Sequence, residues 1–253
     1  MLYLDYLAYN NAFKNISIGE KLLFGGGGLV LALALPRPAL LLAVAVAMHL
    51  AMLAARIPPA YLLRLWLAPA AFLAVSLAGV AVSFAAGPFP ALAAVQAGPF
   101  YLGVTAAGLA AAGDILLRCL AAVSCLFLLA TTTPAAHLAG YLGRVPPLRP
   151  VSEIALLTYR FIFVFLAAAA QIYTAQQSRL GYADYRRSLR SLGFLAANVG
   201  RKAFITARDL NIALTARNYQ GRLNHYQPAR PASPVRLGAI LLILAALAAT
   251  ALL

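Results

Sequence analysis

The chain has 253 residues, of which 63% are hydrophobic and only 10% charged, and its net charge is +14. This composition is too apolar for a soluble globular domain and places the chain in a lipid bilayer. It argues against a nucleic-acid-binding protein, because that use of positive charge needs a basic face on a water-soluble fold. We therefore expect an all-α integral membrane protein.

The N-terminal half is predicted to form an interfacial segment, residues 1–20, followed by a four-helix transmembrane region, residues 21–133. Its apolar runs cover residues 21–35, 39–55, 62–86 and 103–133. Pro36-Arg37-Pro38 separates the first two runs and Arg56-Ile57-Pro58-Pro59 ends the second, because proline lacks the N–H group that a helix interior needs. Gly25-Gly26-Gly27-Gly28 is predicted to let a neighbouring helix approach closely, with loose turn glycines as the alternative.

Two features of the third and fourth spans have specific predictions. Residues 87–100 contain three prolines and no charge, and we expect a chain reversal there. Asp114 and Arg118 are spaced i, i+4 and are predicted to pair on one protein-facing side of the fourth helix.

The C-terminal half is predicted to contain a domain over residues 134–230, with long helices at about 151–180 and 194–219, and a final transmembrane helix at 236–253. Within the first long helix only residues 161–170 are continuously apolar, which is too short for a span of about 20 residues. We therefore expect this helix to lie along the membrane or against other helices. The fold class is thus all-α, with about five transmembrane helices plus a domain of long helices.

Basic residues predict the orientation. With the N-terminus inside and four spans before residue 134, the inside segments hold 18 of the 20 Lys and Arg residues, and Arg37 alone lies in an outside loop. The positive-inside rule therefore places the N-terminus and residues 134–230 in the cytoplasm.

Motifs for catalysis are missing from the sequence. It has no Gly-x-x-x-x-Gly-Lys-[Ser/Thr] loop for ATP, only six scattered acids, and three histidines far apart in sequence. Ser76, Ser83 and Ser124 lack the glycine context of a hydrolase nucleophile. We expect a non-catalytic chain without a metal site or bound cofactor.

The two long helices are predicted to end alike, at Ser178-Arg179 and Ala216-Arg217. In the first helix a stripe of small or polar residues precedes Arg179, namely Ala167, Ala170, Thr174, Gln177 and Ser178. In the second helix Ala203, Ala207, Leu210 and Leu214 share one helix face with Arg217. A narrow helix end presenting a guanidinium would fit a groove with carboxylates on another protein. The alternative is a favourable interaction of each arginine with its own helix dipole.

These residues carry a family resemblance over nearly the whole chain. The motifs are Thr131-Thr132-Thr133-Pro134, Arg149-Pro150, Tyr159-Arg160-Phe161, Ser178-Arg179, and Ala213-Leu214-Thr215-Ala216-Arg217-Asn218-Tyr219-x-Gly221. They resemble the transmembrane T subunit of energy-coupling-factor (ECF) transporters. The opening Leu4-Asp5-Tyr6-Leu7-Ala8 and the stretch Tyr219-Gln220-Gly221 look most like the Q subunit of the cobalt and nickel branch.

The resemblance implies a coupling subunit of an importer in the bacterial inner membrane. Its partners would be two ATP-binding ABC ATPases and a substrate-capture membrane subunit, with a small accessory membrane subunit as a further candidate. ATP would be bound by the ATPases only. Residues Ser178, Arg179, Ala216, Arg217 and Asn218 match the family's docking motifs and are the predicted ATPase-docking sites.

The chain departs from the family's Ala-Arg-Gly motif, since Leu180 and Asn218 follow the two arginines. Asn tolerates a left-handed cap. At the first helix end we expect Gly181 to supply the cap one residue late. The resemblance implies cobalt or nickel ions as the substrate, with a vitamin as an alternative. An integral-membrane enzyme acting on an anionic lipid is the alternative from another functional class.

Overall fold

The computed structural model describes residues 3–85, 93–97, 100–220 and 231–251. Its helices are α1 (Tyr3–Tyr9), α2 (Ile18–Ala34), α3 (Pro38–Ala54), α4 (Pro59–Ala81), α5 (Ala106–Thr132), α6 (Ala135–Leu142), α7 (Arg149–Gln177), α8 (Tyr185–Ala216) and α9 (Pro234–Ala249). Single 3-10 turns occupy Ala12–Asn15 and Pro146–Leu148. The prediction of an all-α membrane fold with long helices is confirmed.

The chain divides into two compact units. One, which we call the membrane unit, joins Leu2–Pro134 to Ala229–Leu253. The other, which we call the hairpin unit, is Ala135–Pro228 and contains α6, α7 and α8. The predicted boundary at residue 230 lies outside the described residues.

Prolines set the helix boundaries of the membrane unit as predicted. α3 and α4 each have a proline at or next to the first helical position, Pro38 and Pro59 respectively. A proline is well suited to this position because its φ angle is already helical and its missing N–H would have no partner there. α5 begins differently, since the Thr105 hydroxyl accepts a hydrogen bond from the backbone N–H of Gly108 at 2.9 Å.

The core of the membrane unit is built on one face of α3. Leu40, Val44, Met48 and Met52 are spaced four residues apart, and each is fully buried. They belong to one cluster with Cys125 of α5 and apolar residues of α2 and α9. Because lipid tails are as apolar as these side chains, the helices are held together mainly by close packing rather than by the hydrophobic effect.

Three of the four consecutive glycines of α2, namely Gly25, Gly27 and Gly28, allow that close packing. A Cβ atom at Gly25 would lie 2.7 Å from Cγ of Leu129 on α5, and one at Gly27 would lie 2.7 Å from Cδ1 of Leu244 on α9. A Cβ atom at Gly28 would collide with the Met48 methyl group of α3. The prediction that these glycines admit neighbouring helices is confirmed, and they lie inside a continuous helix rather than a turn.

Among the residues that the structure describes, three stretches are long and apolar enough to cross a membrane: α4, α5 and Pro146–Gln177, which contains α7. α3 and α9 are shorter apolar helices. The prediction that the first long helix of the C-terminal half is too short to span is wrong, because it rested on residues 161–170 alone. The helix continues without a break to Gln177, so its length does not exclude it from the bilayer.

The predicted ion pair on α5 is also wrong. Asp114 and Arg118 are both exposed, and among the described residues the two side chains form no ion pair with each other. Exposed charges on an apolar helix need a polar neighbour in a bilayer.

A small antiparallel sheet precedes α5 and was not predicted. Its strands are β1 (Val82–Ala85), β2 (Ala93–Ala97) and β3 (Phe100–Val104), in the order β1-β3-β2. Val104 of β3 is in register with Val82 on one side and with Ala93 on the other. The rest of the predicted reversal at 87–100 lies outside the described residues.

Candidate functional site

The first predicted docking site lies where α7 ends. The N–H of Leu180 donates to the Gln177 carbonyl at 3.0 Å, and the N–H of Gly181 donates to the Gln176 carbonyl at 2.9 Å. Leu180 has a φ angle of 57°. This pair of bonds around a left-handed residue is the Schellman motif, which satisfies carbonyls that a helix end leaves without partners.

The second predicted site, where α8 ends, has the same construction. The N–H of Asn218 donates to the Thr215 carbonyl at 3.0 Å, and the N–H of Tyr219 donates to the Leu214 carbonyl at 3.0 Å. Asn218 has a φ angle of 52°. Arg217 therefore occupies the same position in this cap as Arg179 does in the first, immediately before the left-handed residue. We call these two helix ends, Ser178–Gly181 and Ala216–Tyr219, the first and second tips.

The predicted cap at Gly181 is wrong, because Leu180 itself takes the left-handed conformation. For a residue with a Cβ atom this conformation costs roughly 1–2 kcal/mol. Gly181 is needed for a different reason. A Cβ atom there would lie 2.8 Å from the Gln176 carbonyl oxygen and 2.8 Å from Oγ of Ser191.

The first tip is fixed by hydrogen bonds of three side chains, Gln176, Tyr182 and Ser191, none of which was predicted from the sequence. The amide nitrogen of Gln176 donates to the Ser191 carbonyl at 3.1 Å, and its amide oxygen accepts from the Tyr182 hydroxyl at 2.8 Å. Ser191 Oγ donates to the Gly181 carbonyl at 2.8 Å. Desolvation in this cluster raises the pKa of the Tyr182 phenol, with a smaller contribution from Tyr173. These bonds hold the residues on both sides of Leu180, whose φ angle is left-handed.

The second tip is fixed to the beginning of α7. The Tyr219 hydroxyl donates to Oε2 of Glu153 at 3.1 Å. Desolvation is the main reason that the pKa of Tyr219 is raised, and the hydrogen bond to Glu153 and its negative charge add to it. Glu153 is one of only six acidic residues in the chain. This low number is the feature of the sequence that could have indicated a specific contact for Glu153.

These contacts place the two tips at opposite ends of a helical hairpin. Gln176, at the end of α7, bonds to Ser191 near the start of α8, whereas Glu153, near the start of α7, bonds to Tyr219 after α8. The two helices therefore run in opposite directions. α8 has 32 residues, which corresponds to about 48 Å at 1.5 Å per residue.

All five predicted docking residues are exposed: Ser178, Arg179, Ala216, Arg217 and Asn218. The Ser178 hydroxyl donates to the Thr174 carbonyl one turn earlier, at 2.8 Å. This bond keeps the Ser178 side chain on its own helix and away from the Arg179 guanidinium. The ion pairs within the described part of the hairpin unit join Arg187 to Asp184 and Arg208 to Asp209. Neither tip arginine contacts a carboxylate there, and both guanidinium groups are available to a partner.

The residues leading to the two tips are placed differently. Those predicted for α7 are all exposed, namely Ala167, Ala170, Thr174, Gln177 and Ser178. Those predicted for α8 are divided, because Ala203, Leu210 and Leu214 are half-buried while Ala207 and Arg217 are exposed. The exposed stripe of small residues is therefore a property of the first tip only.

Among the described residues, no three His, Cys, Asp or Glu side chains are grouped so that they could hold a metal ion. His49 instead takes part in a neutral hydrogen-bonded contact between helices. Its Nε2 accepts from the Trp66 indole N–H at 3.1 Å, which assigns the proton to Nδ1, 2.8 Å from the Ala45 carbonyl. His49 therefore joins α3 to α4, and its geometry is that of a structural residue.

The chain was compared with known proteins. A family described as "CbiQ: Cobalt transport protein" matches residues 11–227. The cobalt transport protein CbiQ of Rhodobacter capsulatus is 38% identical over 252 residues, covering 99% of this chain and 98% of that protein. CbiQ of Salmonella typhimurium is 29% identical over 218 residues, covering 86% of this chain and 97% of that protein.

A third relative has a second part. The putative fused cobalt transport protein CbiMQ of Methanocorpusculum labreanum is 26% identical over 243 residues, which are 96% of this chain but 40% of that protein. The family resemblance seen in the motifs is confirmed by these matches. The chain belongs to the CbiQ cobalt transport family, whose members are the non-catalytic, multi-pass transmembrane T components of ECF transporters.

Proposed function

We propose that this chain couples two ATP-binding ABC ATPases to a substrate-capture membrane subunit for cobalt uptake, with one ATPase docked at each tip. The observation that carries the proposal is the repeated geometry of the tips. Both have the same Schellman cap, and both present an exposed arginine immediately before the left-handed residue. The position of the tips at opposite ends of the hairpin gives each one room for its own ATPase.

The cap explains how a tip is recognised. The left-handed residue turns the chain away from the helix axis, so that the last helical turn and its arginine project as a narrow end. A guanidinium in this position can form two parallel hydrogen bonds with a carboxylate in a groove of the partner. ATPase closure would then change the distance between the two docked tips and tilt α7 and α8.

The membrane partner is supported by two observations. The fused relative joins a CbiQ-like part to a further part of one polypeptide, which supports close association with a substrate-capture subunit. α7 and α8 also expose large apolar side chains, including Ile154 at 65% and Phe204 at 75%. Such surfaces commonly mark protein or membrane contacts. A small accessory membrane subunit remains a candidate for part of this surface.

The orientation is part of the proposal. We place the protein in the bacterial inner membrane, with the N-terminus and the domain of residues 134–230 in the cytoplasm, because this arrangement puts 18 of 20 basic residues inside. ATP is then available to the ATPases on the side where both tips lie. The five proposed docking residues need no cofactor of their own.

The test is charge reversal at the tips, with Arg179→Glu and Arg217→Glu introduced singly and together into the complete transporter. Loss of a charged pair at an interface commonly costs 2–5 kcal/mol, so we expect ATPase co-purification to fall more than about tenfold at the altered tip. Cobalt uptake should fall with it. Arg201→Glu is the matched control, because Arg201 is an exposed cation in the middle of α8.

The double variant decides the proposal. If it retains both ATPases and normal cobalt uptake, the tips are not the docking sites. Parallel uptake assays with nickel ions separate the metal specificity of the transporter from docking, because the tip variants should reduce the uptake of any transported metal equally.

A further inference from the structure

The membrane unit contains an apolar cavity of about 290 Å³ between the first turns of α2, the first turns of α9 and the last turns of α5. Its apolar lining includes Phe13, Phe24, Leu128, Ala239, Ile240 and Ile243. The lining residues of α9 extend from Arg236 to Ile243, which corresponds to roughly 10 Å along the helix axis. The cavity therefore begins at the ends of helices and extends toward the middle of the bilayer.

Three charged residues, Glu20, Lys21 and Arg236, lie at the end of the cavity where the helices begin, and the surface of the cavity itself is almost entirely apolar. The Glu20 carboxylate accepts from Nε of Arg236 at 3.1 Å and from the Ser233 N–H at 2.7 Å. The Lys21 ammonium donates to the Thr132 carbonyl at 2.6 Å. The contacts of Glu20 tie the beginning of α9 to the beginning of α2, and the contact of Lys21 ties α2 to the end of α5.

The two members of the Glu20–Arg236 ion pair are covered to very different extents. The Glu20 side chain is 0% exposed, whereas the Arg236 side chain is 45% exposed. Only the Nε atom of Arg236 bonds to Glu20, and its terminal nitrogens have no partner among the described residues. The pair is neutral as a whole, but the part that faces outward is cationic.

We propose that this cavity binds one anionic phospholipid from the surrounding bilayer. An acyl chain lies between α2 and α9, and the phosphate group accepts hydrogen bonds from the terminal nitrogens of Arg236. The apolar lining contributes little selectivity, because lipid tails find the same apolar surroundings elsewhere in the bilayer. Selectivity comes from the net charge of the headgroup. Phosphatidylglycerol presents an uncompensated phosphate to the guanidinium, whereas phosphatidylcholine has the same phosphate next to a choline ammonium that the guanidinium repels.

The test measures lipid retention by the purified full-length chain. The chain is placed in nanodiscs of equal parts phosphatidylglycerol and phosphatidylcholine, and the lipids that it retains are counted by native mass spectrometry. A basic side chain at a membrane surface favours an anionic lipid by about fivefold, so we expect the retained phosphatidylglycerol to exceed phosphatidylcholine by that ratio. Equal retention of the two lipids by the wild-type chain overturns the proposal without any variant.

Two variants separate the acyl site from the headgroup site. Ala239→Trp fills the cavity without altering the ion pair and should reduce the retained lipid at least tenfold, whereas Leu242→Trp is the matched control on the exposed face of α9, where Leu242 is 72% exposed. The double change Glu20→Gln with Arg236→Gln removes the cation without leaving a buried carboxylate unpaired. The double variant should retain phosphatidylglycerol and phosphatidylcholine in about equal amounts.

Unchanged retention in Ala239→Trp would show that the cavity is not the lipid site and would favour an apolar segment of a partner protein as its occupant. A fivefold preference that persists in the Gln–Gln variant would show that Arg236 does not hold the phosphate.

Discussion

The membrane unit and the hairpin unit bury their side chains to very different extents. In the membrane unit, α3 alone contributes six buried residues, and Glu20 of α2 is buried despite its charge. Among the described residues of the hairpin unit, α7 buries only Ser152 and Ala168, and α8 buries none. The first unit therefore has a packed core of its own, whereas α7 and α8 leave most of their surface available to other molecules.

This difference changes what stabilises each unit. In the membrane unit, the contacts of α2 at Gly25, Gly27 and Gly28 leave no space for added atoms, so side-chain volume is critical at these positions. In the hairpin unit, a 32-residue helix without buried side chains depends on its caps. Asp184 supplies the first cap, accepting from the Arg187 N–H at 2.7 Å, and the second tip supplies the last one. Substitutions should therefore affect the two units by different physical routes.

The largest expected effect is an added side chain in the glycine run of α2. Gly28→Val should destabilise the protein by about 3 kcal/mol, because added methyl groups would collide with Met48 and with Sγ of Cys125, which is 3.3 Å from the Cβ position. The free energy of unfolding is measured in mild detergent by titration with dodecyl sulfate, using circular dichroism.

The matched control for this prediction is Gly26→Val. A Cβ atom at Gly26 meets nothing within 4 Å, so its effect should stay below about 1 kcal/mol. Equal destabilisation by the two substitutions would show that close packing is not what these glycines provide.

A smaller effect is expected from the buried acid of the membrane unit. Glu20→Gln should destabilise the protein by about 2 kcal/mol, because the ion pair with Arg236 is lost while one oxygen can still accept from Ser233. The destabilisation is limited because the partly exposed Arg236 side chain can be solvated by water in the variant. The same dodecyl sulfate titration measures the change in the free energy of unfolding.

Glu153→Gln is the matched change in the hairpin unit, where the acid contacts the exposed Tyr219. We expect an effect within about 0.5 kcal/mol there. If the two acids contributed equally, the contrast between a packed unit and an exposed unit would not hold for polar contacts.

Local sequence rules predicted the features that depend on neighbouring residues. Prolines marked the beginnings of α3 and α4, and α8 ends at Ala216, where the sequence analysis placed its docking motif. The beginning of α8 was predicted at residue 194 but lies at Tyr185, because the cap formed by Asp184 was overlooked. Aspartate before a helical run is a usable signal for such a start.

Features that join distant residues could not be predicted from one sequence. Glu20 and Arg236 are separated by 216 positions, and no local pattern pairs them. The sheet at 82–104 depends on pairing between apolar segments whose alternation is too weak to identify strands. Leucine prefers negative φ angles, so the left-handed Leu180 could not be predicted from its residue type. The bonds among Gln176, Tyr182 and Ser191 that surround it join residues up to 15 positions apart.

The smallest expected effect is a gain at the first tip. Leu180→Gly should stabilise the cap by about 1 kcal/mol, because glycine adopts a φ angle of 57° without the steric penalty that leucine has. Little packing is lost, since Leu180 is 67% exposed. Hydrogen exchange of the Gly181 amide, which closes the cap through Gln176, measures the change and should become about fivefold slower.

Asn218→Gly at the second tip is the matched change. Asparagine tolerates the left-handed conformation, so exchange of the Tyr219 amide should slow less than exchange of the Gly181 amide does in Leu180→Gly. Equal slowing at both tips would mean that leucine carries no extra strain. A gain confined to the first tip would instead show that the network around Gln176 holds Leu180 in an unfavourable conformation, and that this network, rather than the residue after the arginine, determines the shape of the tip.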